Sequence, residues 1–438
     1  MIASNLSATD VGCLVLTNRY LNKLLTPELY TSGSQLCNPT TGQTPLHWAA
    51  ENNQLKVASL LISRGARRSA KTYLNCETPL HRAVRHGHLE LAKCVFEDSL
   101  MEIRDIDEMT PVHVAAFRGH NDILQFILSM KPEAISTNSP SNMTPLHYAA
   151  EEGHAATVVM LLSRGAKICE NTAGHTPLHC ALNSVHENVV KIFLENDRTD
   201  MMTKMQPMLT YAFCGTKPPP LSLLNLLIDH GADVNTNSQV NGQSPIFYAA
   251  GSDNTAILEL FLRHGGDVTA KDYFGVTPLH EAAAFQPATV DILIGAGARV
   301  NERDDEGQTP LYWAVERGRE DVVRTLLEKG ADINAVDACG MSPLIRACAQ
   351  CCVHVNTRMV KLLIENGAAV ESKDADGMTA LHHASREGHT EIVSLLLKRG
   401  ARVRDRDRSG DNALDIAEQF SKIQVIDLLR QSMGMVRC

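Results

Sequence analysis

No stretch of this 438-residue chain is long and apolar enough to read as a membrane-spanning helix. Its start lacks the basic segment, apolar core and small-residue cleavage site of a secretory leader. Membrane insertion and secretion are therefore not expected, and the cytoplasm is the expected compartment, with the nucleus also open. A strong charge of either sign is missing as well: 41 Lys and Arg face 50 Asp and Glu, a net charge of −9. So mild an acidic balance argues against nucleic acid or an anionic membrane as the main partner. Nor does the chain contain a G-x-x-x-x-G-K-[ST] loop, a G-x-S-x-G elbow or an H-E-x-x-H helix. Enzymatic activity is not expected, and no cofactor is implied. Cysteine is not scarce, but without an export signal the 12 cysteines read as reduced thiols.

What is present is one unit written many times. The clearest copy runs from Gly307 to Asn334, GQTPLYWAVERGREDVVRTLLEKGADIN. Thr309 suits a helix N-cap, and Pro310 fits the first helical position, where its missing N–H costs nothing. Leu311, Ala314 and Val315 supply an apolar stripe, and Gly318 can take the positive φ that stops a helix. A second helix should follow, with Glu320 and Asp321 at its positive end and Val322, Val323, Leu326 and Leu327 as its buried face, until Gly330. An extended, hairpin-like connector then leads from Ala331 to the next cap, Ser342. A helix pair this small buries too little apolar surface to offset its conformational entropy and needs copies stacked on either side.

Equivalents of Thr309 stand at Thr44, Thr78, Thr110, Thr144, Thr176, Gln206, Ser244, Thr277, Ser342, Thr379 and Asn412, with spacings of 30 to 38 residues. TPLH recurs at 44–47, 78–81, 144–147, 176–179 and 277–280, with TPVH at 110–113 and TALH at 379–382. With this motif and a period close to 33 residues, the chain resembles the ankyrin-repeat family over roughly residues 37–432. The resemblance implies an all-α fold, an ankyrin-repeat α-solenoid of stacked helix pairs with projecting β-hairpin-like connectors, about twelve repeats in all. Residues 1–36 carry no repeat but have an apolar, helix-compatible series from Leu14 to Leu29, read as an N-terminal helical cap or as a lead that folds on a partner. The array over 37–432 is expected to be irregular at 199–222, around Pro218–Pro220, and at 348–358; residues 433–438 form a tail. The first irregularity reads either as a divide between a five-repeat and a six-repeat block or as a projecting recognition loop.

Two constellations invite a chemical reading. The histidines of the TPLH-type motif could bind metal, but the same position holds Leu209, Phe247, Tyr312, Ile345 and Asp415 in the other repeats. A scaffolding role, through hydrogen bonds to the adjoining turn, fits that tolerance better. Cys348, Cys351, Cys352 and His354 form a C-x-x-C-C-x-H run, yet Cys348 takes the place of a small helix-packing residue, and adjacent cysteines close a tetrahedral site poorly. No metal site is assigned; Cys351 and Cys352 remain a candidate redox-responsive pair. The basic run Lys398 to Arg408 is interrupted by Asp405 and Asp407 and reads as a solvated connector.

The family resemblance places partner contacts at connector tips and at the end of each first helix. Carried onto this sequence, these are Arg85 and His86, Phe117 and Arg118, Glu151 and Glu152, Phe285, Glu316 and Arg317, and Arg386 and Glu387, with Tyr73, Tyr273 and Phe274 at the tips. Phe117 and Phe285 are the favoured anchors, because an aromatic ring stands where other repeats carry polar or small residues; packing on the adjoining repeat is the competing role. Trp48, Tyr148, Tyr248 and Trp313 lie one turn earlier and are assigned to inter-repeat packing. Asn235, Asn301 and Asn334 end GADVN-like segments with a leucine eight residues before, and so resemble asparagine-hydroxylation sites of the family. The expected function is a non-enzymatic, monomeric scaffold or adaptor holding one or more proteins on its concave face. The alternatives are a substrate receptor of a ubiquitin ligase, with recruitment resting on residues 1–36, and a zinc- or redox-responsive regulator.

Overall fold

The structure, a computed structural model, describes residues 40–196, 208–215, 217–252, 254–350 and 353–434, without the side chains of 353–356. The N-terminal segment, Gln206 and Pro207, Cys351, Cys352 and the side chain of His354 lie outside the described residues. By contact the chain forms two units, one ending at His230 and the other beginning at Gly231. The division thus follows the second helix of the degenerate sixth repeat, Leu221–Asp229, rather than preceding that repeat.

Each unit is a row of helix pairs. In the pair that begins at Thr309, the helices run Pro310–Glu316 and Glu320–Glu328. Thr309 Oγ1 accepts from the Tyr312 backbone N–H (3.3 Å), and Gly318 and Gly330 take the positive φ that ends each helix. Leu311, Ala314, Val315, Val322, Val323 and Leu326 are buried as the pattern requires, whereas Leu327 is only half covered. First helices stack on first helices, and the side chains between them are small because the helices approach closely: Ala83 and Val84, Ala115 and Ala116, Ala149 and Ala150 are wholly buried. Burial of each large aliphatic chain contributes about 1.5–3 kcal/mol, and much of that surface is buried only by a neighbour.

The TPLH-type histidines tie the pairs together. In all seven, Nδ1 accepts from the backbone N–H of the capping threonine and lies 2.7–2.9 Å from its hydroxyl. That fixes the proton on Nε2. In six of them Nε2 donates to a backbone carbonyl of the following repeat, for example Glu77 (2.9 Å) from His47 and Gln308 (3.1 Å) from His280. One imidazole thus caps its own helix and holds the next connector. A second set, which the sequence reading did not single out, follows the turn between helices: His88, His154, His186 and His389 donate back to the carbonyls of Glu51, Phe117, Glu151 and Gln350 at 2.6–3.0 Å.

The connectors are turns rather than strands; among the described residues only Lys373 and Thr379 form an isolated antiparallel bridge. A side-chain carboxylate closes most of them. Asp105, Asp272, Asp304, Asp337 and Asp374 each accept from backbone N–H groups two and four residues on. Successive tips are joined through the backbone: Tyr73 N–H to the Thr41 carbonyl, Ile106 to Asn75, Tyr273 to Asn241, Asp305 to Phe274 and Ala338 to Glu306.

Candidate functional site

A concavity in the second unit lies where connector tips meet the ends of first helices, over the repeats that begin at Ser244, Thr277 and Thr309. Its volume is about 620 Å³. The tip Tyr273–Phe274 forms one rim, with Phe274 65% exposed and Tyr273 lying over Gly242, where a Cβ would approach its ring to 2.5 Å. Trp313 forms the wall opposite, half buried, its Nε1 donating to Asp304 Oδ2 (3.0 Å) and its indole edge-on to His280. The rest is dominated by carboxylates: Asp272, Glu281, Asp304, Asp305, Glu306 and Glu316, against the single cation Arg317.

These carboxylates are unequally neutralised. Glu316 pairs with Arg346 of the following repeat. Asp272 and Asp304 are occupied in their own turns, and Gln243 donates to Asp272 Oδ2 (3.2 Å) and Glu281 Oε1 (3.3 Å). Among the described residues no ion pair involves Glu281, Asp305 or Glu306. Burial, followed by the nearby Asp272, pushes the Glu281 carboxyl above the usual range, while Gln243 and Arg317 oppose the shift.

The first unit has a smaller counterpart of about 400 Å³, between Gln43, Trp48, Glu51, Leu74 and Arg82. Here the chain provides its own cation. Arg82 reaches Glu51 (3.1 Å) and the buried Glu77 (2.5 Å), and Arg85 joins Glu77 (2.6 Å) to Asp105 (3.0 Å).

Of the contact residues read from sequence, Phe274, Glu316 and Arg317 come together at the larger cavity, while Tyr273, next to Phe274 in the tip, lies over Gly242. Tyr73 and Phe285 are also exposed, Phe285 lying against Gly251. Phe117 is half buried, edge-on to Tyr148 with Arg118 above its ring (5.6 Å), so it packs as well as presents. Arg85 is spent on its internal carboxylates, and His86 stacks on His88 (6.0 Å). Glu151 is half buried, its carboxyl raised by burial and by Glu152; Arg386 and Glu387 pair with each other (3.2 Å). Asn235, Asn301 and Asn334 hold the next repeat: Asn235 bonds the Gly265 carbonyl and the Asp267 N–H, Asn301 the Gly330 carbonyl and the Asp332 N–H, and Asn334 accepts from Ala369. A hydroxylase would have to break these bonds to reach them. Cys348 is fully buried, which pushes its thiol up; Cys339 is exposed. Among the described residues no cluster of His, Cys, Asp or Glu is arranged to hold a metal, and no helix is long and apolar enough to cross a membrane.

The family described as ankyrin repeats (3 copies) matches residues 17–107, 80–172, 112–205, 209–304, 283–374 and 349–435. The chain belongs to the ankyrin-repeat family. Among curated relatives, transient receptor potential cation channel subfamily A member 1 of Homo sapiens is 26% identical over 312 residues, 68% of this chain and 25% of that protein. Its Drosophila melanogaster counterpart is 28% identical over 301 residues, covering 66% of this chain and 23% of that protein. The ankyrin repeat domain-containing protein SAT10 of Stachybotrys chartarum is 26% identical over 253 residues, 56% of this chain and 13% of that protein. The chain therefore spans a quarter or less of the length of these relatives. Ankyrin repeats are protein-interaction domains and the family is generally non-enzymatic, which fits a face built from aromatic tips and carboxylates.

The sequence reading missed Glu281 and assigned Trp313 to packing alone. The signal was available: the position four residues after the cap holds Trp48, Arg82, Val114, Tyr148, Cys180, Thr210, Tyr248, Glu281, Trp313, Arg346, His383 and Ile416, so Glu281 is the one acid among rings, arginines and small or aliphatic residues.

Proposed function

We propose that this ankyrin array is a non-enzymatic scaffold that holds partner proteins on the face made by its connector tips and first-helix ends. The observation that carries this is the apolar surface left exposed there: Tyr73, Leu74 and Ile106 in the first unit and Tyr273, Phe274 and Phe285 in the second. Each lies beside polar side chains, the mixture of rigid anchors and hydrogen-bonding rim that specific interfaces use. These side chains project from turns whose backbone is already bonded, so the face is preorganised and little ordering entropy is lost on binding.

The test is affinity purification with cross-linking, comparing the native chain with a Leu74→Ser, Ile106→Ser, Phe285→Ser variant. These residues lie outside the larger cavity and are exposed enough for the fold to persist, which circular dichroism would check. Loss of a defined set of partners is expected; an unchanged set would refute this reading.

A further inference from the structure

The cavity over the repeats that begin at Ser244, Thr277 and Thr309 is wide, strongly acidic, rimmed by aromatic rings and short of cations. Elsewhere the same fold shows what such a place accepts. Glu51 of one repeat pairs with Arg82 of the next, and Glu316 pairs with Arg346 in the same relation. In both, a guanidinium from the following repeat lies against the carboxylate, at the position four residues after the cap. Glu281 occupies that position in its own repeat and carries the opposite charge. The chain thus places arginine at this position in two repeats and, at Glu281, a carboxylate.

From this we propose that the cavity receives an arginine side chain presented by an extended segment of a partner protein, with Glu281, Asp305 and Glu306 as its counter-charges and Phe274 and Trp313 as the surfaces on which it stacks. The proposal rests on the function inferred above and names the partner's chemistry. Three physical arguments favour arginine. The half-buried Glu281 has no ion-pair partner among the described residues, and an incoming cation would offset the cost of its charge. Guanidinium is more weakly hydrated than ammonium, so it enters a partly desolvated cleft at lower cost. It also stacks flat on rings while its edge donates to carboxylates, which matches an aromatic rim above an acidic floor. At about 620 Å³ the cavity has room for the side chain and the flanking residues of a segment, within the range of ligand-binding clefts.

The probe is a fluorescein-labelled Ala-Arg-Ala-Arg-Ala-Arg-Ala peptide, titrated with the full chain by fluorescence anisotropy, beside the same peptide with lysine. Saturable binding is expected, stronger for arginine than for lysine. Glu281→Gln should weaken it about tenfold, and Phe274→Ala about fivefold, since it removes one stacking surface. Glu133→Gln, at an exposed position in the first unit, should leave it within about twofold, as a charge change outside the lining of the groove. Glu281→Arg, which puts a cation at the position equivalent to Arg82, should abolish it. Absence of saturable binding would overturn the proposal. So would equal losses in Glu281→Gln and Glu133→Gln, or equal lysine and arginine affinities with no effect of Phe274→Ala; either would mark general attraction to an acidic protein. A chain that ignores the peptide yet loses its partners in the Leu74→Ser, Ile106→Ser, Phe285→Ser variant would keep the scaffold function and remove only the arginine pocket.

Discussion

The groove at Arg82 and the groove at Glu281 are built from equivalent residues and reach opposite electrical outcomes. Gln43 and Gln243 precede equivalent caps, Leu74 and Phe274 follow equivalent tip tyrosines, and the two tyrosines donate to equivalent carbonyls, Thr41 and Asn241. Arginine against glutamate four residues after the cap, together with Gly251 and Val276 at the positions of Glu51 and Glu77, separates a groove closed by its own ion network from one left acidic and open. A repeat fold can therefore assign stability to one stretch and recognition to another without altering the backbone. The units differ in a second way. Five of the seven capping histidines, His47, His81, His113, His147 and His179, lie in the first unit, and two, His280 and His382, in the second.

That asymmetry gives the largest expected effect. Burial, chiefly, lowers the imidazoles of His47, His81, His113 and His179 to about 4. Their folded pKa lies below the unfolded value of about 6.5, so the unfolded chain binds more protons between the two. Their contribution is present above pH 6.5 and is lost as pH falls towards 4. Between pH 7 and pH 5 each should forfeit about 2 kcal/mol. Hydrogen exchange at the two pH values should show first-unit helices losing more protection than second-unit helices; uniform loss would break the contrast. In the second unit Tyr312 takes the histidine position and donates to Asp337 Oδ2 (2.9 Å), a link whose hydroxyl is pushed up by burial and by that carboxylate and does not titrate in this window.

Next in size is Arg82→Ala, which leaves the buried Glu77 with only Arg85 and should cost about 3 kcal/mol in urea unfolding. Arg85 softening that loss to below about 1 kcal/mol would show that the network is redundant. Tyr312→Phe should cost about 2 kcal/mol, the value of one hydrogen bond to a carboxylate, with no change in the acid profile. Smallest of all, Glu281→Gln should change stability by less than about 0.5 kcal/mol, and in the favourable direction at neutral pH. The folded pKa of Glu281 is raised, so its carboxylate is penalised above that pKa and relieved below it. A clear destabilisation would mean that Glu281 belongs to the scaffold rather than to the binding face.

The fold was legible because its signals are local. A capping threonine, a proline after it and a histidine three residues on stand within one turn of helix, and each does what its chemistry requires. The site was only partly legible. Phe274, Glu316 and Arg317 were found because tips and helix ends can be counted along one repeat, but the cavity is assembled from side chains some thirty residues apart. Whether a charge is spent depends on the neighbouring repeat: Arg85 looked available until Glu77 and Asp105 were seen to hold it, and Glu281 stood out only beside Arg82 and Arg346. Phe117 shows the same limit, since its exposure is set by Tyr148 of the following repeat.

The bonds between successive connector tips have a consequence for how anything can attach. Tyr73, Ile106, Tyr273, Asp305 and Ala338 each give their amide hydrogen to the tip before, so those amides and the carbonyls that receive them are already committed. An arriving peptide cannot graft itself there as an added strand, the mode in which main-chain pairing supplies affinity and any sequence serves. It must be read through what the side chains offer. Preferences can then be rewritten one residue at a time, on a framework that the rewriting leaves untouched.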